Sequence, residues 1–275
     1  MNSQIFTYLK RKELTDTRTV NRLFVSSFMS LNNLEIENNH FITELLINEK
    51  DEDIDLLQEF VAKIHRFHHA PLTIEDMIEL FEFVVSPSDR IVTGAVYTPW
   101  CVRKNIIETC LNTMSNEQTQ HIRVADISCG CGGFLIDVAL FLHNKTGRTF
   151  YDIYQNSIYG IDIQEYSVER TKILLSLLAL LQGEDSDYNF NILHADTLDF
   201  KTAEWDNTYM HFDVIVGNPP YVCSRKLDAA TKEKIMQYEV CQSGHPDLYI
   251  PFFQIATEML NDAGSLGFIT MNSFI

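Results

Sequence analysis

The six cysteines, at positions 101, 110, 129, 131, 223 and 241, include no C-x-x-C pair. Zinc sites rely on such spacing and disulfide frameworks on an export route, so reduced thiols and no bound metal are expected. The chain has no apolar run of membrane-spanning length: "ILLSLLALL", Ile173 to Leu181, is far too short. The opening "MNSQIFTYLKRKELTD" lacks the layout of a secretory signal. Together these absences lead us to expect a cytoplasmic protein. Positive charge is also scarce, with 21 Lys and Arg against 38 Asp and Glu, a net charge of −17. Phosphate contacts need Lys and Arg, so binding of nucleic acid would require a local basic groove or a basic part elsewhere. Much of the excess acid lies early, where Glu44, Glu49, Asp51, Glu52, Asp53, Asp55 and Glu59 surround one Lys50. That run reads as a solvated helical face, and His65, His68 and His69 read as a polar helix face rather than a metal site.

Glycine is almost missing up to residue 90 or so, and apolar residues there recur at helical spacing. In "DIDLLQEFVAKIHRF", Ile54, Leu57, Phe60, Val61 and Ile64 share one stripe. "TIEDMIELFEFVV" opens with Thr73 as an N-cap and Asp76 three residues on. Residues 1–90 are therefore expected to form a helical N-terminal subdomain.

From residue 91 the texture alternates. Segments 122–128, 158–163, 189–196, 212–218 and 265–272 read as short strands, with helical stretches at 133–143, 167–181 and 248–260. This order predicts an α/β domain over 91–275 with a doubly wound, mostly parallel, Rossmann-like sheet. Ligands of such sheets sit beyond the carboxyl ends of the strands, so the strand ends carry the functional reading.

The first end, "VADISCGCGGFL", runs from Asp126 through Gly130, Gly132 and Gly133, and lets backbone pass close to a ligand. It is neither G-x-G-x-x-G nor a phosphate loop. An acid beside bare backbone suits a cationic nucleoside such as S-adenosylmethionine, and a ligand-free tight turn is the alternative. At the second end Asp162 stands where an acid chelates ribose hydroxyls, and Ile163 can lie against an adenine face; an N-cap or surface acid is the alternative. The third ends at Asp196, a candidate acceptor for the adenine amine of the cofactor, or an ordinary turn residue.

The fourth ends in "FDVIVGNPPYV". Prolines fix φ and lack an N–H, so Pro219 and Pro220 stiffen the strand end. An exocyclic aromatic amine is a poor nucleophile because its lone pair is delocalised. Two acceptors on its protons favour a pyramidal, reactive nitrogen, and the Asn218 side-chain oxygen with the Pro219 carbonyl can supply them. Tyr221 can stack on a base. Upstream, "TGAVYTPWCVRKNII" places Thr98 at an expected N-cap and Pro99 at the first helical position, a helix start suited to an anion such as the methionine carboxylate.

With these motifs the chain resembles the N6-adenine DNA methyltransferases of bacterial restriction–modification and phage-defence systems, in the group whose "TP" segment precedes the glycine loop. The resemblance runs from about Gly94 onward. It implies S-adenosylmethionine as cofactor, with Thr98, Asp126, Gly130, Gly132, Asp162, Ile163, Asp196 and Asn218 around it. It implies catalysis by Asn218, Pro219, Pro220 and Tyr221, and double-stranded DNA as partner together with a specificity or target-recognition domain or subunit. Ile127 and Cys131 stand where the family often has proline and a small residue. The family continues past the fifth strand with further strands, a second aromatic and a recognition domain, so a fragment or half of a split enzyme is expected. Related chemistry on RNA adenine or a protein glutamine amide stays open, as does an inactive cofactor-binding scaffold. No nuclease signature follows Pro246-Asp247.

Overall fold

The structure is a computed structural model and describes residues 3–14, 16–68, 71–84, 97–112, 114–201 and 209–270. The chain divides into two compact units, Met1–Val85 with Lys172–Tyr188, and Ser86–Thr171 with Asn189–Ile275. The boundary expected near residue 90 lies outside the described residues.

The first unit is helical. It holds α1 (Ser3–Lys12), α2 (Thr17–Leu31), α3 (His40–Thr43), α4 (Ile54–Phe67) and α5 (Ile74–Phe83). Thr73 and Asp76 form the expected capping box on α5. Of the stripe on α4, Phe60 and Ile64 are fully buried, while Ile54, Leu57 and Val61 are half-buried. The Phe24 ring lies 5.6 Å from that of Phe60 and 5.2 Å from that of Phe81, so aromatic packing joins α2, α4 and α5. The acidic run is not wholly solvated: Asp51 and Asp53 hold Arg22 at 2.8 and 3.3 Å, and Glu59 holds Lys12 at 2.7 Å. His68 lies against Asp76 at 3.2 Å, and His69 is outside the described residues. Asp185 accepts backbone N–H groups from Glu37, Asn38 and Asn39, while Asp187 takes both the backbone N–H and the ring of His40.

The second unit carries the sheet. Its strands are β1 (Val124–Asp126), β2 (Ile158–Asp162), β3 (Asn191–His194), β4 (Phe212–Gly217) and β5 (Leu260–Phe268), in the order β3-β2-β1-β4-β5. Every pairing is parallel. β1 is buried throughout and β4 nearly so, as strands covered on both faces must be. Between them come α6 (Trp100–Leu111), α7 (Asn116–Gln120), α8 (Gly133–Thr146), α9 (Phe150–Asn156), α10 (Glu165–Leu181), α11 (Ala229–Ile235) and α12 (Tyr249–Met259). The part of α10 from Lys172 onward belongs to the first unit. Phe252, Ile255 and Met259 of α12 join Ala125, Ile161 and Ile215 of the sheet in one core. α8 packs on β1 and β2, and α6 on β4 and β5. This is a doubly wound, parallel, Rossmann-like fold, as the alternation predicted.

β5 departs from expectation by starting at Leu260 rather than 265. Phe212 pairs with Leu260 and Val214 with Ser265, so residues 261–264 bulge within the strand. "NDAG" has turn composition, which hid the strand's first half. Met271 and Asn272, expected in this strand, lie outside the described residues.

The chain passes from β1 to β2 and β3, then returns to β4 on the other side of β1. Connections leaving β1 and β4 therefore diverge, opening a crevice at the carboxyl ends of those strands. Asp126 and Asn218 stand at that point.

Candidate active site

The glycine loop begins at Asp126, which is 1% exposed. Its Oδ1 accepts the Ser128 N–H at 3.0 Å. Burial and the nearby Asp162 carboxylate push its pKa up to about 8, against the Ser128 hydrogen bond. Asp162 is half-buried; it accepts the Gly130 N–H at 2.9 Å through Oδ2 and the Gln164 N–H at 2.8 Å through Oδ1. Thr171 donates to the Gly130 carbonyl at 2.9 Å, and Thr197 to the Ile127 carbonyl at 2.6 Å. The loop is thus held by side chains from β2 and from the segments after β2 and β3. Gly132 caps α8 with φ +83, and Ile163 is exposed just past β2.

Asp196 follows β3 by two residues. Its Oδ1 accepts the Leu198 N–H at 3.0 Å, and its Oδ2 meets Lys234 of α11 at 2.6 Å. Asp199 takes the same ammonium at 2.7 Å. Burial lowers the Lys234 pKa, and the hydrogen bonds it donates to Asp196 and Asp199 outweigh that, so the group stays charged.

The tetrapeptide follows β4 directly. Gly217 precedes it, and a Cβ built there would stand 2.6 Å from Asp126 Oδ1. The β4 tip must therefore be glycine to lie beside that carboxyl group. Asn218 donates through Nδ2 to Thr98 Oγ1 at 3.0 Å. Pro219 is buried. The Tyr221 hydroxyl donates to the Ile269 carbonyl at 2.5 Å, and its ring centroid lies 5.8 Å from that of Tyr249. Burial pushes its pKa up to about 12, so it stays protonated. Backbone bonds fix the segment further: Ile269 N–H to the Gly217 carbonyl and Leu248 N–H to the Val222 carbonyl.

The "TP" segment needs a correction. α6 starts at Trp100 with Pro99 at its N-cap, and no side chain caps it. Thr98 does not cap; its buried hydroxyl serves Asn218. The reason is spatial, because the hydroxyl faces the β4 tip, 120 residues away in sequence. Arg103, 1% exposed, donates to the Thr98 carbonyl at 2.6 Å and to Asp137 at 2.7 Å. A Cβ at Gly133 would lie 3.2 Å from Arg103 Nε, so the start of α8 is kept bare for the guanidinium.

Ser128, Arg103, Asp137, Gly217 and Lys234 were not singled out from sequence. A glycine inside an apolar strand signals close approach, which marks Gly217. Arg103, Asp137 and Lys234 lie within helices and carry no such signal.

The donor set suits a cationic nucleoside. Burial and the neighbouring Asp162 carboxylate raise the cost of ionising Asp126, and a cation there relieves it. A phosphate there would meet like charge. The buried Ser128 Oγ makes no hydrogen bond among the described residues, which leaves a polar atom at the loop for a ligand.

Comparisons with known proteins concern the chain's sequence and fold as a whole. The Eco57I restriction-modification methylase family matches residues 156–275. The chain is 25% identical over 235 residues to the Type II restriction enzyme and methyltransferase RM.Eco57I of Escherichia coli, covering 68% of this chain and 23% of that protein. It is 29% identical over 198 residues to the Type II methyltransferase M.BstVI of Geobacillus stearothermophilus, covering 66% and 34%. It thus spans about a quarter to a third of the length of these relatives. In fold it is similar to the type IIG restriction endonuclease BpuSI, with TM-score 0.61, 19% identity, and 94% of this chain matching 32% of that one. It is also similar to the ATP-dependent Type ISP restriction-modification enzyme LlaBIII, bound to DNA, with TM-score 0.63, 16% identity and coverage of 94% and 21%. In sequence and in fold, then, the chain resembles the methyltransferases of restriction–modification systems.

Proposed function

We propose that this chain transfers the methyl group of S-adenosylmethionine to the exocyclic N6 of adenine in double-stranded DNA, with target recognition supplied by a further domain or subunit. One observation carries the reading: the Asn218 carboxamide, held by Thr98, directly follows Gly217, the β4 tip that lies against the buried Asp126 at the tip of β1. That is the switch point where such sheets bind ligands.

Asp126, Ser128, Gly130, Gly132, Asp162, Ile163 and Asp196 would hold the cofactor, which supplies an electrophilic methyl on a sulfonium. The chain's own groups act on the amine. Asn218 Oδ1 and the Pro219 carbonyl accept hydrogen bonds from its two N–H groups, which draws the nitrogen towards a pyramidal geometry; one of these protons leaves to solvent once the methyl group has been transferred. Pro219 and Pro220 keep the Pro219 carbonyl from reorienting. Tyr221, its hydroxyl tied to the Ile269 carbonyl, offers a fixed ring to a base flipped from the duplex. No covalent enzyme intermediate is needed, and Cys223 has no part.

The test supplies the chain with its recognition domain or subunit and offers tritiated methyl donor with DNA, RNA and protein separately. Transfer to DNA adenine, abolished by Asn218→Ala while S-adenosylhomocysteine still binds, is expected. Transfer only to RNA or a glutamine amide would reassign the substrate, and full turnover by Asn218→Ala would refute the assigned role.

A further inference from the structure

A chain of net charge −17 can hold nucleic acid only where cations gather and stay free of internal partners. Many are occupied: Lys12, Arg22, Arg103, Arg148, Lys201 and Lys234 all hold carboxylates. One short stretch differs. Residues 223–238, just past the tetrapeptide, carry four cations and two acids, whereas the whole chain carries 21 and 38. Of the four, Lys234 is taken by Asp196 and Asp199. Arg225, Lys226 and Lys232 are exposed, and their side chains make no ion pair or hydrogen bond among the described residues. Of the two acids, Asp228 is engaged at the start of α11, where it accepts the Thr231 N–H at 2.8 Å. The free cations stand on a fixed scaffold. The Ser224 N–H donates to Asp247 Oδ1 at 3.0 Å, and the Tyr238 hydroxyl to the Leu198 carbonyl at 2.7 Å. Leu227, Ile235 and Tyr238 are buried in the core beneath the sheet's β1 and β4 residues Ala125 and Ile215. Arg225 follows Tyr221 by four residues, a length of chain that reaches at most about 14 Å. A duplex presents one phosphate charge per about 1.7 Å of axis, so a duplex engaged at Tyr221 brings several phosphates within range of Arg225 and Lys226.

We propose that Arg225, Lys226 and Lys232 form the surface that holds the phosphate backbone of the substrate duplex beside the target base. The proposal rests on the reading of this chain as a DNA methyltransferase and names the face on which the DNA lies. Phosphate contacts fix register and orientation but carry no sequence information. This surface therefore places the duplex against the tetrapeptide and leaves the choice of site to the recognition part. The acidic excess of the rest of the chain works in the same direction, because like charge disfavours other orientations of the duplex.

The test titrates the 275-residue chain against a short fluorescent DNA duplex as salt rises from about 50 to about 200 mM. Each phosphate contact adds about 0.9 to the slope of log affinity against log salt. The triple variant Arg225→Gln/Lys226→Gln/Lys232→Gln should flatten that slope by about 2.7, so over this range the parent should lose about fortyfold more affinity than the variant. All three side chains are exposed, so the melting temperature should match the parent's. Should the triple variant fail to fold, each single substitution carries the expectation of about 0.9. The control Arg11→Gln/Arg18→Gln/Lys50→Gln changes net charge equally at exposed residues of the first unit and should keep the parent slope. Equal slopes in parent and variant would overturn the proposal, as would equal flattening in the control. So would no duplex binding by the parent at about 50 mM salt, since phosphate contacts need no recognition domain. A flattening with single-stranded RNA but not with duplex DNA would overturn it as well. The titration requires no methyl transfer. A flattened slope in a chain that methylates no DNA, even with its recognition part, would keep the surface and refute the proposed reaction. Methylation of DNA adenine with unchanged slopes would do the reverse.

Discussion

Replacing Arg103 by methionine removes a guanidinium that is 1% exposed and leaves the Asp137 carboxylate, with 14% side-chain exposure, without that cation. Breaking a buried pair from one side costs about 3–5 kcal/mol, because the remaining charge stays desolvated. Residual access of water to Asp137 argues for the lower end, about 3 kcal/mol. At about 2–4 °C per kcal/mol for a domain of this size, the melting temperature should fall by about 6–12 °C. Asp137→Leu alone should be similarly damaging. The double variant Arg103→Met/Asp137→Leu should recover most of the loss, since replacing both partners by apolar groups is often neutral. Circular dichroism melts of the four proteins give the coupling directly. The double variant should still be impaired in methyl transfer, because the Thr98 carbonyl has lost its donor. A single variant melting within 2 °C of the parent, or a double variant as unstable as the sum of the singles, would refute a coupled buried pair.

Two further predictions concern the strand tips. Asp126 has its pKa raised to about 8, so its proton is held more tightly in the folded chain than in the unfolded one. The stability it contributes is full below the unfolded value near 3.8 and is lost as pH rises through about 8. A cationic cofactor should therefore release a proton at pH 7. Its affinity should rise by up to about tenfold per pH unit between about 6 and 8, and Asp126→Asn should flatten the profile. Calorimetry of S-adenosylmethionine binding in buffers of different ionisation enthalpy checks this, and heats that do not depend on the buffer would contradict it. Gly217→Ala places a Cβ 2.6 Å from Asp126 Oδ1. The neighbour is a buried carboxyl group with little room to yield, so about 1–3 kcal/mol of stability should be lost. S-adenosylhomocysteine affinity should fall with it, and a melt and titration matching the parent would count against so close an approach.

The strand ends were legible because each is an apolar run halted by a polar residue: Asp126, Asp162, Asp196 and Asn218. Parallel topology followed from alternation alone, since strand–helix–strand units leave few other arrangements. Partners across long separations were not legible. Nothing in "YTPW" signals that the Thr98 hydroxyl belongs to a strand 120 residues on. The capping expectation failed there because a threonine before proline satisfies the local rule equally well. Lys234 reads as one cation on a polar helix, yet it spans Asp196 and Asp199. Residues Asp185 and Asp187 look like solvated acids after α10, but they gather the backbone N–H groups of residues 37–40. β5 was half missed because its bulge is built from turn residues.

The strand-end acids also show why position and role are hard to separate here. Asp162 holds the Gly130 N–H and so shapes the very loop beside which a nucleoside would lie. Asp196 holds Leu198 and Lys234 two residues past the end of β3. A carboxylate offers about four lone-pair sites, so one group can fasten a loop and still accept a ligand hydroxyl or amine. Alanine at either position would release the loop as well as delete the contact, and the lost affinity would overstate the contact. Asn218 differs, because its hydrogen bond to Thr98 uses the nitrogen while the proposed chemistry uses the oxygen. Fastening and function there fall on opposite ends of one amide, so this residue's two roles can be separated by changing its partner rather than the residue itself.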